Sequence, residues 1–273
     1  MTTLVAVFTC LFLFGLGAIV GSFLTVVIAR VPAGESIVRP RSSCPGCGEF
    51  ISWFDNIPLV SWLMLGGKCR RCHEPIPLRY PLVELVTAIA FGLVGLASLM
   101  GAYPLIFVPT FLIISAAGIA LVVIDLEHFR LPNQIVATTY VLAALAVGIG
   151  LIADGFADHV AGVMGGMLLW GVVFGGAWLV TRGRGMGLGD VKLAPLLGAS
   201  LGMLGFVESA IGLLITFLVG ASVGLWLLAS RRVQRRQAIP FGPFMIMGWF
   251  ATVLLGSPLA SWYLTVVLGR YPS

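Results

Sequence analysis

Eight runs of apolar residues, most of them about twenty residues long, account for nearly the whole chain and decide what it can become. They cover 4–29, 81–100, 104–124, 133–153, 159–180, 190–203, 204–230 and 244–268, the sixth being short. A helix of about twenty apolar residues crosses roughly 30 Å of hydrocarbon while satisfying its own backbone. Apolar residues make up 59% of the chain, only 10% are charged, and the mean hydropathy is +1.06. That balance excludes a soluble globular domain and predicts an all-α polytopic membrane protein of about eight transmembrane helices. The lipid bilayer is therefore its first partner.

Charge gives the expected orientation. The first run begins without a basic residue and is too long for the apolar core of a cleaved signal, so it reads as a retained first helix over 1–29. Arg30 follows it immediately and places its C-terminal end in the cytoplasm. With eight alternating helices, 15 of the 16 Lys and Arg residues then fall on the cytoplasmic side, including Arg130, Arg182, Lys192, Arg231, Arg232, Arg235 and Arg236. Only Arg270 is left outside, where Asp154, Asp158 and Glu208 also fall. An odd number of crossings would scramble this partition. The net charge of +5 is spread among short loops as topology signals are, so no nucleic-acid partner is expected.

Residues 30–80 form a polar insertion ahead of a transmembrane core over 81–273. It carries Cys44-Pro-Gly-Cys47 and Cys69-Arg-Arg-Cys72, two Cys-x2-Cys pairs separated by 21 residues. That spacing is the pattern of two zinc knuckles; the competing reading is two disulfides. A cytoplasmic loop is kept reduced, which favours metal. Four thiolates fill a tetrahedral site and leave no open position, so the expected Zn2+ is structural. His73 adjoins Cys72 but is surplus to that set, and Cys10 reads as a small apolar residue of the first span.

Two carboxylates remain to be explained. Asp125 ends the third span, and Asp190 opens the sixth after the glycine-rich approach Gly185-Met-Gly-Leu-Gly-Asp190-Val-Lys192. Alternation brings both to the cytoplasmic end of the bundle, although 65 residues separate them. Acids at the edge of a membrane helix are costly to bury and point to function. Taken singly, Asp190 could cap its helix, and Asp125 could be a solvated interfacial acid beside Arg130. Taken together they suggest an aspartyl dyad, one carboxylate activating water and the other protonating a peptide carbonyl oxygen. A cation-coupled transporter and a membrane assembly factor docking through the metal loop are the rival classes. Acids at one edge and the absence of an inverted repeat argue against the first, and the glycine-aspartate placement is unexplained by the second. The glycines lack the Gly-Lys-Ser/Thr of a P-loop, and no His-Glu-x-x-His is present, so phosphate-loop and zincin chemistry are set aside.

An ordered set of short motifs resembles the type IV prepilin peptidase family, the bifunctional leader peptidases and N-methyltransferases of bacterial pilus and type II secretion systems. It comprises Gly21-Ser-Phe-Leu24, the paired cysteines, Asn56-Ile-Pro58 with Ser61-Trp62, and Pro75-Ile-Pro-Leu-Arg-Tyr-Pro-Leu-Val-Glu84. It continues with Asp125, Leu131-Pro-Asn133, Gly187-Leu-Gly-Asp190 with Lys192, and Pro240-Phe-Gly-Pro-Phe244, nearly the length of the chain. Thr25 stands where the pattern has asparagine. The resemblance implies that Asp125 and Asp190 are the catalytic aspartates of a membrane protease in the bacterial inner membrane, with active site and zinc loop facing the cytoplasm. The implied substrate is a prepilin or pseudopilin, cut after glycine between a short basic leader and a hydrophobic helix. Methylation of the new N-terminal residue from S-adenosylmethionine is implied by the resemblance alone, as no methyl-donor motif is present. Glu84 and Glu35 are candidate contacts to the leader or the donor, against the plainer reading of ordinary interfacial and surface acids.

Overall fold

The computed structural model describes residues 3–154, 156–184, 186–230 and 239–266. Gly185, the basic run of Arg231, Arg232, Arg235 and Arg236, and Arg270 lie outside the described residues, as do the side chains of Asp154 and Asp158. The described residues are helical apart from turns, short loops and two isolated β-bridges. The chain divides into two compact units, residues 1–96 and 97–273.

The first unit holds α1 (Thr3–Arg30), the insertion with the short α2 (Val60–Met64), and α3 (Arg79–Leu99), which runs three residues past the boundary. Helices α1 and α3 pack antiparallel: Leu13 meets Gly95, Gly17 meets Thr87 and Ala88, and Gly21 meets Glu84 and Thr87. The Gly17-x3-Gly21 spacing puts two small residues on one face, and small faces are how membrane helices approach closely. The insertion is more ordered than its composition suggests. Trp53–Asn56 makes a tight helical turn, and Ser61 at the start of α2 is buried, its Oγ accepting from Ile57 N–H and donating to the Phe54 carbonyl.

The second unit is a bundle of α4 (Val108–His128), α5 (Asn133–Asp154), α6 (Phe156–Thr181), α7 (Leu188–Gly202), α8 (Phe206–Ala229) and α9 (Gly242–Val266). Pro109 opens α4 at a position where a missing N–H costs nothing. The helix ends on Phe129 in the left-handed region, whose N–H caps the Asp125 carbonyl before Leu131-Pro132 stops it.

Seven of the described helices are long and apolar enough to cross a membrane. The exception among the expected runs is α7, whose 15 residues reach only about 22 Å. It nevertheless runs antiparallel along α6, because Gly198 and Gly202 lie against the backbones of Gly166 and Gly162 with no side chain between them. A Cβ at any of these four positions would strike the facing helix. His159, near the start of α6, reaches the Met203 carbonyl just past the end of α7 at 3.1 Å. The short helix thus lies along little more than half of its 26-residue neighbour, starting at that neighbour's N-terminal end, and the alternation of chain direction is preserved.

Helices α8 and α9 are likewise antiparallel, with Gly212 beside Thr252 and Gly248 beside Thr216. Two indole donors are satisfied inside the core: Trp249 Nε1 of α9 donates to Ser200 Oγ at 2.8 Å, and Trp170 Nε1 of α6 to the Ser209 carbonyl at 3.0 Å. Gly118 of α4 lies on Ile246 of α9, and Asp125, further toward the C-terminal end of α4, lies on Gly242 at the start of α9, so these two also run antiparallel. The C-terminal ends of α4, α6 and α8 and the N-terminal ends of α5, α7 and α9 are therefore gathered at one end of this unit.

Candidate functional site

Both sequence-identified aspartates lie at that end of the second unit. Asp125, in the last turn of α4, is only 5% exposed, and Asp190, in the first turn of α7, is 7% exposed. Asp125 is therefore not the solvated interfacial acid of the plainer reading. The N–H of Gly242, at the start of α9, donates to Asp125 Oδ2 at 3.2 Å across 117 residues of sequence. A Cβ at Gly242 would stand 2.7 Å from that same oxygen, so only glycine gives the amide this approach.

Asp190 occupies the third position of α7, not the cap, which is Gly187 in extended conformation with no side-chain cap bond. Its carboxylate turns back to the Gly187 N–H, the reach of a capping-box acid toward the preceding cap. The capping reading is thus partly realised, and it holds the carboxylate in place without consuming both oxygens. Between the two aspartates, Leu131 packs on Gly189 on one side and approaches Gly242 on the other. Stacked and tilted rings of Trp170, Phe174, Phe217, Phe241 and Phe244 support the Gly242 turn from the core.

A second layer of bonds ties α5 to the start of α7. Lys192 Nζ donates to Asn133 Oδ1 at 2.9 Å, and the Tyr140 hydroxyl donates to the Lys192 carbonyl at 2.6 Å. Sequence reasoning gave no role to Gly242 or Tyr140. For Gly242 the available signal was the Pro-Phe-Gly-Pro turn before an apolar run; for Tyr140 there was none.

Within the first unit, the Sγ atoms of Cys44, Cys47, Cys69 and Cys72 lie within 4.8 Å of one another. Cys44 and Cys72 sulfurs are 3.6 Å apart, and all four cysteines are free thiols. A tetrahedral site with Zn–S bonds of about 2.3 Å separates its sulfurs by about 3.8 Å, whereas a disulfide needs about 2.05 Å. The donor set fits Zn2+ and not two disulfides. The two pairs are built alike. Cys44 N–H bonds the Glu49 carbonyl and Gly48 N–H the Cys44 carbonyl; Cys69 N–H bonds the Glu74 carbonyl and His73 N–H the Cys69 carbonyl. His73 matches Gly48 as the left-handed turn residue, which gives it a backbone role outside the thiol cluster.

Electrostatics in the cluster call for a cation. The backbone N–H groups of Cys72 and Arg71, with the sulfurs of Cys44 and Cys72, bring the Cys69 thiol down to about 7. At Cys72 the Glu74 N–H pulls the same way, but desolvation and the sulfurs of Cys44, Cys69 and Cys47 outweigh it and push that thiol up to about 12. Four thiolates are not compatible at neutral pH unless a metal ion compensates them.

The remaining candidate acids differ in placement. Glu84 is 9% exposed, and its Oε2 accepts the Leu59 N–H at 2.8 Å. Glu35 is exposed, its N–H turned to the Arg30 carbonyl. Thr25 spends its hydroxyl on the Ser22 carbonyl at 2.7 Å, a bond within its own helix that the asparagine of the pattern would not reproduce.

Two family profiles match the chain: Bacterial Peptidase A24 N-terminal domain over residues 15–98, and Type IV leader peptidase family over residues 112–225. A prepilin leader peptidase/N-methyltransferase of Myxococcus xanthus is 41% identical over 248 residues, covering 87% of this chain and 71% of the relative. One from Aeromonas hydrophila is 37% identical over 285 residues and covers 94% of each chain. A type 4 prepilin-like proteins leader peptide-processing enzyme of Escherichia coli is 38% identical, covering 88% of this chain and 91% of the relative. No solved structure matches the chain.

Proposed function

Because the chain belongs to the type IV leader peptidase family, we propose that this multi-pass membrane protein removes the leader peptide of type IV prepilins or pseudopilins with Asp125 and Asp190, and methylates the new N-terminus. The observation that carries the peptidase reading is the pair of buried carboxylates, delivered by α4 and α7 to one end of one bundle, where Leu131 touches both Gly189 next to Asp190 and Gly242 against Asp125. Buried neighbouring carboxylates share a proton, so one is a base and the other an acid at the same pH.

The ionised carboxylate takes a proton from water as the water oxygen attacks the carbonyl carbon of the leader's last residue, glycine. The protonated partner donates to the carbonyl oxygen, giving a neutral tetrahedral diol. Collapse of the diol breaks the C–N bond, and the carboxyl that gained the water proton passes a proton to the departing amine. The Gly242 amide fixes the orientation of Asp125 throughout, and the Gly187 amide does the same for Asp190. Supporting orientation toward the cytoplasm is the excess of Lys and Arg at the loops of that end.

Zn2+ held by Cys44, Cys47, Cys69 and Cys72 supplies structure to the insertion, tying its two turns together. S-adenosylmethionine supplies the methyl group. The test is reconstituted cleavage of a prepilin by wild type, Asp125→Asn and Asp190→Asn. Each substitution is expected to lower the rate by at least about a hundredfold, the lower end of acid–base contributions. Equal processing by all three proteins would overturn the reading.

A further inference from the structure

We infer that Leu131 is a positioning residue for the reaction: its side chain is the spacer between the two aspartate-bearing turns and sets the separation at which Asp125 and Asp190 meet. This rests on the proposed peptidase dyad, and it gives the setting of that dyad's geometry to a residue that carries no charge.

The connection between α4 and α5 holds Leu131 in place from both ends. Phe129 turns the backbone in the left-handed region while its N–H stays bonded to the Asp125 carbonyl at 2.9 Å. Pro132 restricts the residue before it to extended backbone, and its own carbonyl accepts the Val136 N–H in the first turn of α5. The half-buried Leu131 side chain between these fixed points reaches both halves of the site. Its Cβ, Cγ and Cδ1 stand 2.8, 3.1 and 3.1 Å from where a Cβ on Gly189 would be, and its Cδ2 stands 3.6 Å from the corresponding point at Gly242. Gly189 adjoins Asp190, and Gly242 donates its N–H to Asp125. Two residues on, Asn133 takes the Lys192 Nζ at 2.9 Å, so the connection grips α7 on both sides of Asp190.

The two glycines ahead of Asp190 thereby separate in role. A Cβ at Gly187 would meet only Asp190 Oδ2 at 3.4 Å and the Gly189 nitrogen at 3.9 Å, whereas a Cβ at Gly189 would drive into Leu131. Gly189 lies inside α7 and is not among the residues with positive φ. Glycine weakens a helix relative to alanine, so its place there is explained by the room it leaves for the leucine. Spacing matters because two carboxylates must lie close to share one proton, and misplacing a reacting group by about 1 Å costs about a hundredfold in rate.

The experiment is kinetic, on the full chain reconstituted with a prepilin. It measures kcat, KM and the pH dependence of kcat for Leu131→Ala, Gly189→Ala, the double variant and Leu131→Met. Gly189→Ala forces the leucine away and Leu131→Ala removes it, so each should lower kcat at least about tenfold with KM within about threefold of wild type. The double variant should lose no more than the worse single one, because the added methyl enters space the leucine has left. Leu131→Met conserves volume and should stay within about threefold. With the spacer lost, water enters and screens the two carboxylates, and their titration steps draw together as their interaction weakens. The pH optimum of kcat should therefore narrow from both limbs in the two single alanine variants and keep its width in Leu131→Met. Leu131→Val trims a single carbon, gives the intermediate point of the series, and stands in for Leu131→Ala where that protein does not fold. Single variants at the wild-type rate, losses that multiply in the double variant, losses confined to KM, or an unchanged width of the pH optimum overturn the spacer and leave the dyad intact. Cleavage by Asp125→Asn or Asp190→Asn at the wild-type rate overturns the dyad instead, and the spacer with it.

Discussion

The cysteine cluster and the aspartate pair are assembled in opposite ways. The cluster is local: 28 residues separate its first thiol from its last, and each half repeats one backbone turn. The pair is remote. Asp125 and Asp190 come from different helices, and the amide that orients Asp125 comes from a third, 117 residues away. A local cluster needs a metal to hold it because little apolar surface surrounds it, whereas the pair is held by the bundle core. Damage to one should therefore leave the other standing.

The sharpest break of this comparison removes a carboxylate. Asp190→Asn keeps the shape of the site and the Gly187 contact through its amide, so the bundle should remain folded. Cleavage is expected to fall by about a hundredfold or more, with thermal unfolding of the purified protein unchanged or slightly raised because a buried charge has been removed. A drop in unfolding temperature together with activity would mean that Asp190 is a helix cap first and a catalyst second.

Next in size is removal of the metal. Structural zinc contributes on the order of 10 kcal/mol to the modules it organises, so Cys44→Ser or Cys72→Ser should abolish bound metal. Elemental analysis checks the metal, and limited proteolysis should then cut within residues 30–80. Leader cleavage should stay within about tenfold of wild type, since local opening of one unit need not propagate to another. If cleavage vanishes with the metal, the two regions are one cooperative structure and the contrast between them is wrong.

Between these two regions the sequence was unequally informative, and the reason is physical. Apolar runs and Cys-x2-Cys spacing are properties of adjacent residues, so α1, α3 to α9 and the four thiols were legible without coordinates. The two aspartates were legible as candidates because charge is rare in such a chain. Their mutual approach needed the alternation of helix direction, which survives in α7 only through the Gly162, Gly166, Gly198 and Gly202 contacts. Gly242 was not legible as an amide donor, since a backbone group carries no sequence signature.

Gly242→Ala asks how finely the remote assembly is tuned. The added methyl would lie 2.7 Å from Asp125 Oδ2, inside contact distance, so either the carboxylate or the start of α9 must shift. A displacement of this kind costs up to about a hundredfold in rate when it misaligns reacting groups. The loss should appear in kcat, with KM for the prepilin nearly unchanged, because the Gly242 contact is with the acid and not with the substrate. A change confined to KM would move Gly242 from the dyad to the substrate path.

The smallest expected effect concerns the clamp between α5 and α7. Lys192→Met removes the bond to Asn133 Oδ1 but keeps the length of the side chain, and the Tyr140 bond to the Lys192 carbonyl survives because it involves the backbone. The lost bond is exposed, so its net worth is about 1 kcal/mol, or roughly a fivefold change in rate if all of it acts on the position of Asp190. Asn133→Ala should cost about the same, and the double variant no more than either alone, since the two side chains act as one contact. Additive losses in that cycle would show that Lys192 serves the reaction by its charge instead of by holding α7. The pair of carboxylates would then depend on a third charged group, and the remote site would be larger than the three helices that now define it.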